Sequence, residues 1–127
     1  MQIEMQCLLN FSEFYNEVKT QKLSIKVAYR LAQLNRAIET ELQFYQDKVQ
    51  SILAEFGEHD ENGQLVPTED GRGVKLQPGA EYKCYAAMAE LQSLMVELPD
   101  IKFNIEDFGE ITLSPELMSA ILPFIEE

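Results

Sequence analysis

Between Ser24 and Gly57 the chain has neither glycine nor proline, and its apolar residues recur in sevens. Ala28, Asn35, Leu42, Val49 and Phe56 share one heptad position. Leu31, Ile38, Tyr45 and Ile52 share a second, three residues further on. This spacing predicts one helix over about residues 24–56, with Ser24 as its cap and Gly57 as its stop. Such a helix is about 50 Å long, more than the width of a compact domain of this size. The rest of the chain must cover a long apolar seam or leave part of it for another copy. Asn35 is the one polar residue in that seam. A lone asparagine there fixes register or oligomeric state, or else marks the solvated end; both readings stand.

The flanking elements are shorter. Partial alternation over residues 2–9 predicts a short strand, and Ser12 is placed to cap a helix over 13–20. Residues 57–79 are dense in turn formers, and Asp70-Gly71 between two apolar pieces predicts a small β-hairpin. A second helix is expected over about 80–96, with Cys84, Met88, Leu91 and Met95 at 4-3-4 spacing. Ile101, Phe103 and Ile105 alternate with polar residues as in a half-buried strand, and residues 111–113 suggest a last one. Ser114-Pro115-Glu116 is a helix start, and Pro123 stops or kinks that helix. The expected class is α+β, mainly helical. A long and a shorter antiparallel helix form a hairpin, with a small β-hairpin or strands and a short C-terminal helix. Its 127 residues, 46% of them hydrophobic, suit a single domain with its own core.

Charge narrows the class of action. The formal net charge is −12. Residues 1–56 carry six basic and seven acidic side chains, whereas residues 57–127 carry four and fifteen. So acidic a chain repels nucleic acid and anionic membrane. No apolar run approaches the ~20 residues of a membrane span, and the first residues lack the basic start of a secretory leader. Cys7 and Cys84 share no metal-ligand or redox spacing, so free thiols in a reducing, cytoplasmic setting are expected.

One pattern resembles a calcium loop. Glu58, Asp60, Asn62 and Glu69 stand at its positions 1, 3, 5 and 12, Gly63 at 6 and Leu65 at 8. The first ligand is Glu instead of Asp, Pro67 interrupts the loop, and Asp70-Gly71-Arg72-Gly73 occupies the place of the exit helix. An acidic turn without metal is the expected reading. His59, the sole histidine, has no partner nearby in sequence and reads as an exposed loop residue. Cys84 reads as a small buried hydrophobe. Glu106, Asp107 and Glu110 form an acidic cluster that needs no catalytic role in so acidic a chain. No catalytic motif and no cofactor motif is found.

The run Ser24–Leu98 resembles small uncharacterised proteins of tailed bacteriophages. The resemblance rests on Lys26-Val27-Ala28-Tyr29-Arg30, on Glu41-Leu42 followed by Tyr45, on Asp60-Glu61-Asn62-Gly63, and on Glu90-Leu91 with Val96-Glu97-Leu98. It implies a phage setting and no mechanism. The expected function is therefore that of a non-enzymatic acidic binding protein, an accessory protein inhibiting a host factor through protein–protein contact. Its partner is expected to be a protein with a basic surface, met by Glu58, Asp60, Glu61, Glu69 and Asp70 and by Glu106, Asp107 and Glu110. The alternative is a structural or assembly component that associates, for example as a homodimer, through the seam of Leu31, Asn35, Ile38, Leu42, Tyr45, Val49 and Ile52.

Overall fold

A computed structural model of the chain describes residues 1–109 and 111–126. They are mainly helical: four α-helices and one two-stranded antiparallel sheet. In chain order these are β1 (Gln2–Glu4), α1 (Met5–Val18), α2 (Ile25–Phe56), α3 (Glu81–Gln92), β2 (Met95–Glu97) and α4 (Pro115–Ile121). The contacts divide into two compact units, Met1–Leu42 with Leu94–Glu127, and Gln43–Ser93. Helix α2 gives its first part to one and its second part to the other.

The first unit is built on α1. Met5, Leu8, Phe11, Phe14 and Val18 are buried at spacings of three and four, which is one helix face. That period overrides the alternation seen over residues 2–9. The strand is confined to Gln2–Glu4, and Ser12 lies within the helix instead of capping it. Ile3 sits opposite Val96 in the sheet, and both are buried. This pairing also ends the expected second helix early: α3 stops at Gln92, and Met95–Glu97 leave it to form β2.

On the first part of α2 the buried residues are Val27, Leu31, Leu34 and Ile38. The 4-3-4 spacing is that of the expected seam, but rotated: Val27 and Leu34 join Leu31 and Ile38 in the core, where Ala28 and Asn35 were expected. Five phenylalanines fill the centre. Phe11 meets Phe124 edge-on at 5.3 Å, Phe14 meets Phe108 at 5.7 Å, and Phe103 lies 5.6 Å from Phe108. Aromatic pairs favour such tilted and edge-to-face geometry.

The segment expected to form a strand at 101–105 makes a single parallel bridge, Phe103 with Ile125. It is held by Phe103 N–H to Phe124 C=O (2.8 Å) and Glu126 N–H to Phe103 C=O (2.7 Å). The Arg30 guanidinium lies over the Phe103 ring and donates to the Lys102 carbonyl. Residues 111–113 form no strand. Ser114 caps α4 by accepting from the Leu117 N–H, with Pro115 in the first turn, and Pro123 falls in a 3₁₀ turn, Leu122–Phe124, that delivers the buried Phe124.

The second unit holds residues 43–56 of α2, the connector and α3. The connector forms three short antiparallel segments joined by the bridges His59–Leu65, Pro67–Val74 and Gly57–Leu76. Asp70-Gly71 lies in the turn between the second and third segments, and Gly71 has φ 72°. Gly57 ends α2 for a steric reason. Its φ is not positive, but a Cβ there would lie 2.4 Å from the Leu53 carbonyl oxygen and 2.7 Å from Leu65 Cδ2. Gln77 closes the helix end by donating to the carbonyls of Glu55, Phe56 and Gly57.

Candidate functional site

The acidic residues of the connector lie on two turns. The Asp60 carboxylate accepts from the N–H groups of Asn62 (2.8 Å) and Gln64 (3.0 Å), and Gly63, with φ 79°, closes that turn. The Asp70 carboxylate accepts from the Thr68 hydroxyl and from the Arg72 N–H. Thr68 in turn accepts from the Gly73 N–H (3.2 Å). The Thr68 bond first, and the Arg72 bond second, hold the Asp70 carboxyl below the ordinary aspartate range. Side chains that bond their own backbone two residues on fix such turns. Asp60, Glu61, Glu69 and Asp70 are all exposed. Glu58 is half-buried and lies 3.6 Å from Lys75 Nζ, an ion pair worth ~0–1 kcal/mol at such exposure.

This arrangement is a set of anchored turns in which Glu58 faces a lysine and Asp60 faces backbone amides. Among the described residues, no three histidine, cysteine or acidic side chains converge in a group able to hold a metal ion. His59 is exposed on the same segment.

The second acidic set lies in the other unit. Glu106 is exposed in a 3₁₀ turn, Ile105–Phe108, and half-buried Asp107 accepts from the Asn104 N–H at 2.9 Å. Glu110 lies outside the described residues. The seam residues differ along α2. Leu31 and Ile38 are fully buried, whereas Leu42, Tyr45, Val49 and Ile52 are half-buried. Asn35 is half-buried and donates to Glu39 along its own helix at 3.0 Å.

The thiols sit differently. Cys84 is buried on α3. Cys7 is half-buried, and burial, with the nearby Glu4 charge second, raises its pKa, so it stays a protonated thiol at neutral pH.

One surface was not singled out by charge or heptad reading. Tyr82, Tyr85, Ala86 and Ala89 of α3 are exposed, the tyrosines at 83% and 70%. Their three- and four-residue spacing was the available signal, masked by the stronger apolar set on the opposite face. No family model, curated protein or solved structure matches the chain.

Proposed function

We propose that the chain is a non-enzymatic binding protein that engages a basic protein surface through its acidic connector. In this reading it is a tailed-phage accessory protein that inhibits a host factor in the host cytoplasm. The observation that supports it best is the pair of fixed turns carrying Asp60, Glu61, Glu69 and Asp70, all four exposed. Carboxylates held on anchored turns lose little freedom when they meet a partner. A single exposed pair adds ~0–1 kcal/mol, so the contact must use several together. Their joint field steers a basic surface and speeds association.

The test is capture of a host protein from lysate over a salt series. Binding should weaken steeply above ~0.15 M salt, where the Debye length falls to about 8 Å. Converting Glu58, Asp60, Glu61, Glu69 and Asp70 to their amides should slow association about tenfold, a loss of roughly 1.4 kcal/mol, with the fold unchanged. The set Glu106, Asp107 and Glu110 serves as the comparison. If salt and both sets leave capture unaltered, the reading fails.

Two finer points belong to the same proposal. The second part of α2 and α3 pack antiparallel as a hairpin, supported by the half-buried Tyr45, Val49 and Ile52 on one and Met88 on the other. Ile52→Asp and Met88→Asp should each lower the melting temperature; no change in either defeats the pairing. The alternative role, an assembly component acting through α2, is favoured by the absence of any fully buried side chain on α2 beyond Ile38. It predicts salt-insensitive association that Val49→Asp abolishes.

A further inference from the structure

The connector's two turns, at Asn62-Gly63 and Asp70-Gly71, each place a side-chain carbonyl carbon one residue before a glycine. In such a pair the glycine's backbone nitrogen can attack that carbon and close a five-membered ring. Glycine favours this because it has no Cβ to shield the nitrogen and its backbone turns freely. The two turns hold their pairs differently. We propose that Asn62 is a site of spontaneous deamidation, converting slowly to aspartate and isoaspartate, whereas Asp70-Gly71 is protected by its own hydrogen bonds. The inference is independent of the binding role.

The reaction needs only water. The Gly63 nitrogen bonds to the Asn62 Cγ, and the bond from Cγ to the side-chain nitrogen breaks. That nitrogen leaves as ammonia, carrying the proton that the Gly63 amide gave up. Water then opens the resulting succinimide at one of its two carbonyls. Addition at Cγ restores the main chain and leaves aspartate. Addition at the main-chain carbonyl carbon leaves the chain running through Cγ, which is isoaspartate. Nothing is oxidised or reduced.

Three observations select Asn62. Of the five asparagines it alone precedes a glycine. Asn10, Asn16 and Asn35 lie inside helices, whose hydrogen-bond ladder fixes the backbone around them, and Asn104 precedes the β-branched Ile105. Second, Asn62 is exposed. Among the described residues its carboxamide has no hydrogen-bond partner, and a Cβ at Gly63 would meet no atom within 4 Å, so the ring and the water have room. Third, the bond that must open is a single one, Gly63 N–H to Asp60 C=O at 3.0 Å. One exposed bond of this kind slows the attack by about tenfold or less.

Asp70 is the contrast. Its carboxylate accepts from the Thr68 hydroxyl and from the Arg72 N–H, and the Gly71 N–H donates to the Thr68 carbonyl at 2.9 Å. Ring closure there must expel a hydroxyl as water, which requires the protonated acid. Both bonds to the carboxylate favour the ionised form instead, in keeping with its lowered pKa.

Deamidation changes the first turn in two ways. Either product adds one negative charge to a chain of −12. Isoaspartate also inserts a carbon into the main chain before Gly63. The bonds from Gly63 N–H to Asp60 C=O and from Asp60 N–H to Gln64 C=O (2.8 Å) then lose their register.

The test is incubation of the full chain at about pH 7 and about pH 9, followed by peptide mass mapping, ammonia assay and NMR of the Asn62 side-chain amide. Ammonia release with a gain of about one mass unit at position 62 is expected. It should be about tenfold or more faster at the higher pH, because the attacking nitrogen must lose its proton. Conversion at Asn62 should outpace that at Asn10, Asn16, Asn35 and Asn104, and isoaspartate formation at Asp70, by more than about tenfold. Asn62→Gln, which would have to close a larger ring, should suppress the early ammonia release without altering the melting temperature. Thr68→Val should speed isoaspartate formation at Asp70. Four outcomes would overturn the proposal: an Asn62 as durable as the helical asparagines, ammonia release indifferent to Asn62→Gln, conversion of Asp70 as fast as that of Asn62, or an Asp70 indifferent to Thr68→Val.

Discussion

The eleven large side chains that are fully buried (Phe11, Phe14, Phe103, Phe124, Met5, Leu8, Leu31, Leu34, Ile38, Ile121 and Val18) all belong to the unit formed by residues 1–42 and 94–127. The unit of residues 43–93 buries only Ala80, Cys84 and Leu91 among its apolar side chains. One is held by interdigitated aromatics, the other by turn hydrogen bonds and a helix stop. The chain thus joins a region whose stability comes from apolar burial to one whose shape comes from local polar bonding. The second kind suits a binding surface, because its turns hold charged groups in place on the outside of the molecule.

The sharpest way to break this contrast is to truncate matched positions. Phe11 packs against Phe14, Phe124 and Tyr15. Phe11→Ala should cost about 3–5 kcal/mol, a large share of a total of ~5–15. Val49→Ala, on a half-buried position of the other unit, should cost about 1 kcal/mol or less. Urea titration of both variants decides the matter. Equal losses would show that the second unit has a core as demanding as the first.

Gly57→Ala comes next. The new methyl meets the backbone oxygen of Leu53 and the side chains of Leu65 and Val74. Overpacking of this kind costs about 1–3 kcal/mol. Its effect should stay within the second unit. Amide exchange over residues 58–76 should speed up while that of α1 is unchanged. Faster exchange in α1 would mean that the two units unfold together.

Much of this division was legible in the amino-acid sequence, and the failures have physical causes. The glycine- and proline-free run gave α2 its extent, and Ser114-Pro115 gave α4 its start. The register of the seam was one residue off on one of its two rows. Val27 and Leu34 compete with Ala28 and Asn35 at the same spacing, and only burial in the folded core, which takes Val27 and Leu34, chooses between them. Residues 5–9 entered a helix because five core positions at helical period outweigh three at strand period. Val96 left α3 because Ile3 pairs with it, a contact 93 residues distant in the chain that no local pattern announces. Of the candidate site, the acidic residues were visible as charge. Their anchoring by Thr68, Arg72 and Gln64 depends on turn geometry that composition does not reveal.

A gentler test follows α2 itself, which crosses from one region to the other. Amides near Leu31, Leu34 and Ile38 lie under fully buried side chains, and those of residues 49–56 do not. Protection against exchange should fall along the helix toward Phe56. Since tenfold in protection is 1.4 kcal/mol, a gradient of about one to two factors of ten is expected. A flat profile would place the whole helix in one cooperative core.

The smallest effect concerns Asp70. Its carboxylate is stabilised mainly by the Thr68 hydroxyl and then by the Arg72 N–H. A folded-state pKa below the unfolded one stabilises the fold at pH values above the unfolded pKa. That contribution is lost as pH falls through the folded value. The turn of residues 68–71 should therefore hold through the ordinary aspartate range, near ~3.9, and loosen only below it. Because Asp70 is exposed, the global melting temperature should hardly respond, and the readout must be local. Titration of the Asp70 carboxyl carbon by NMR should give a midpoint below the ordinary value. Thr68→Val, which removes the larger of the two causes, should raise it while the Arg72 bond keeps part of the depression. A midpoint at the ordinary value in the unaltered chain would mean that the turn is not anchored by its own polar bonds. The contrast between an apolar-held and a polar-held region would then lose its clearest local support.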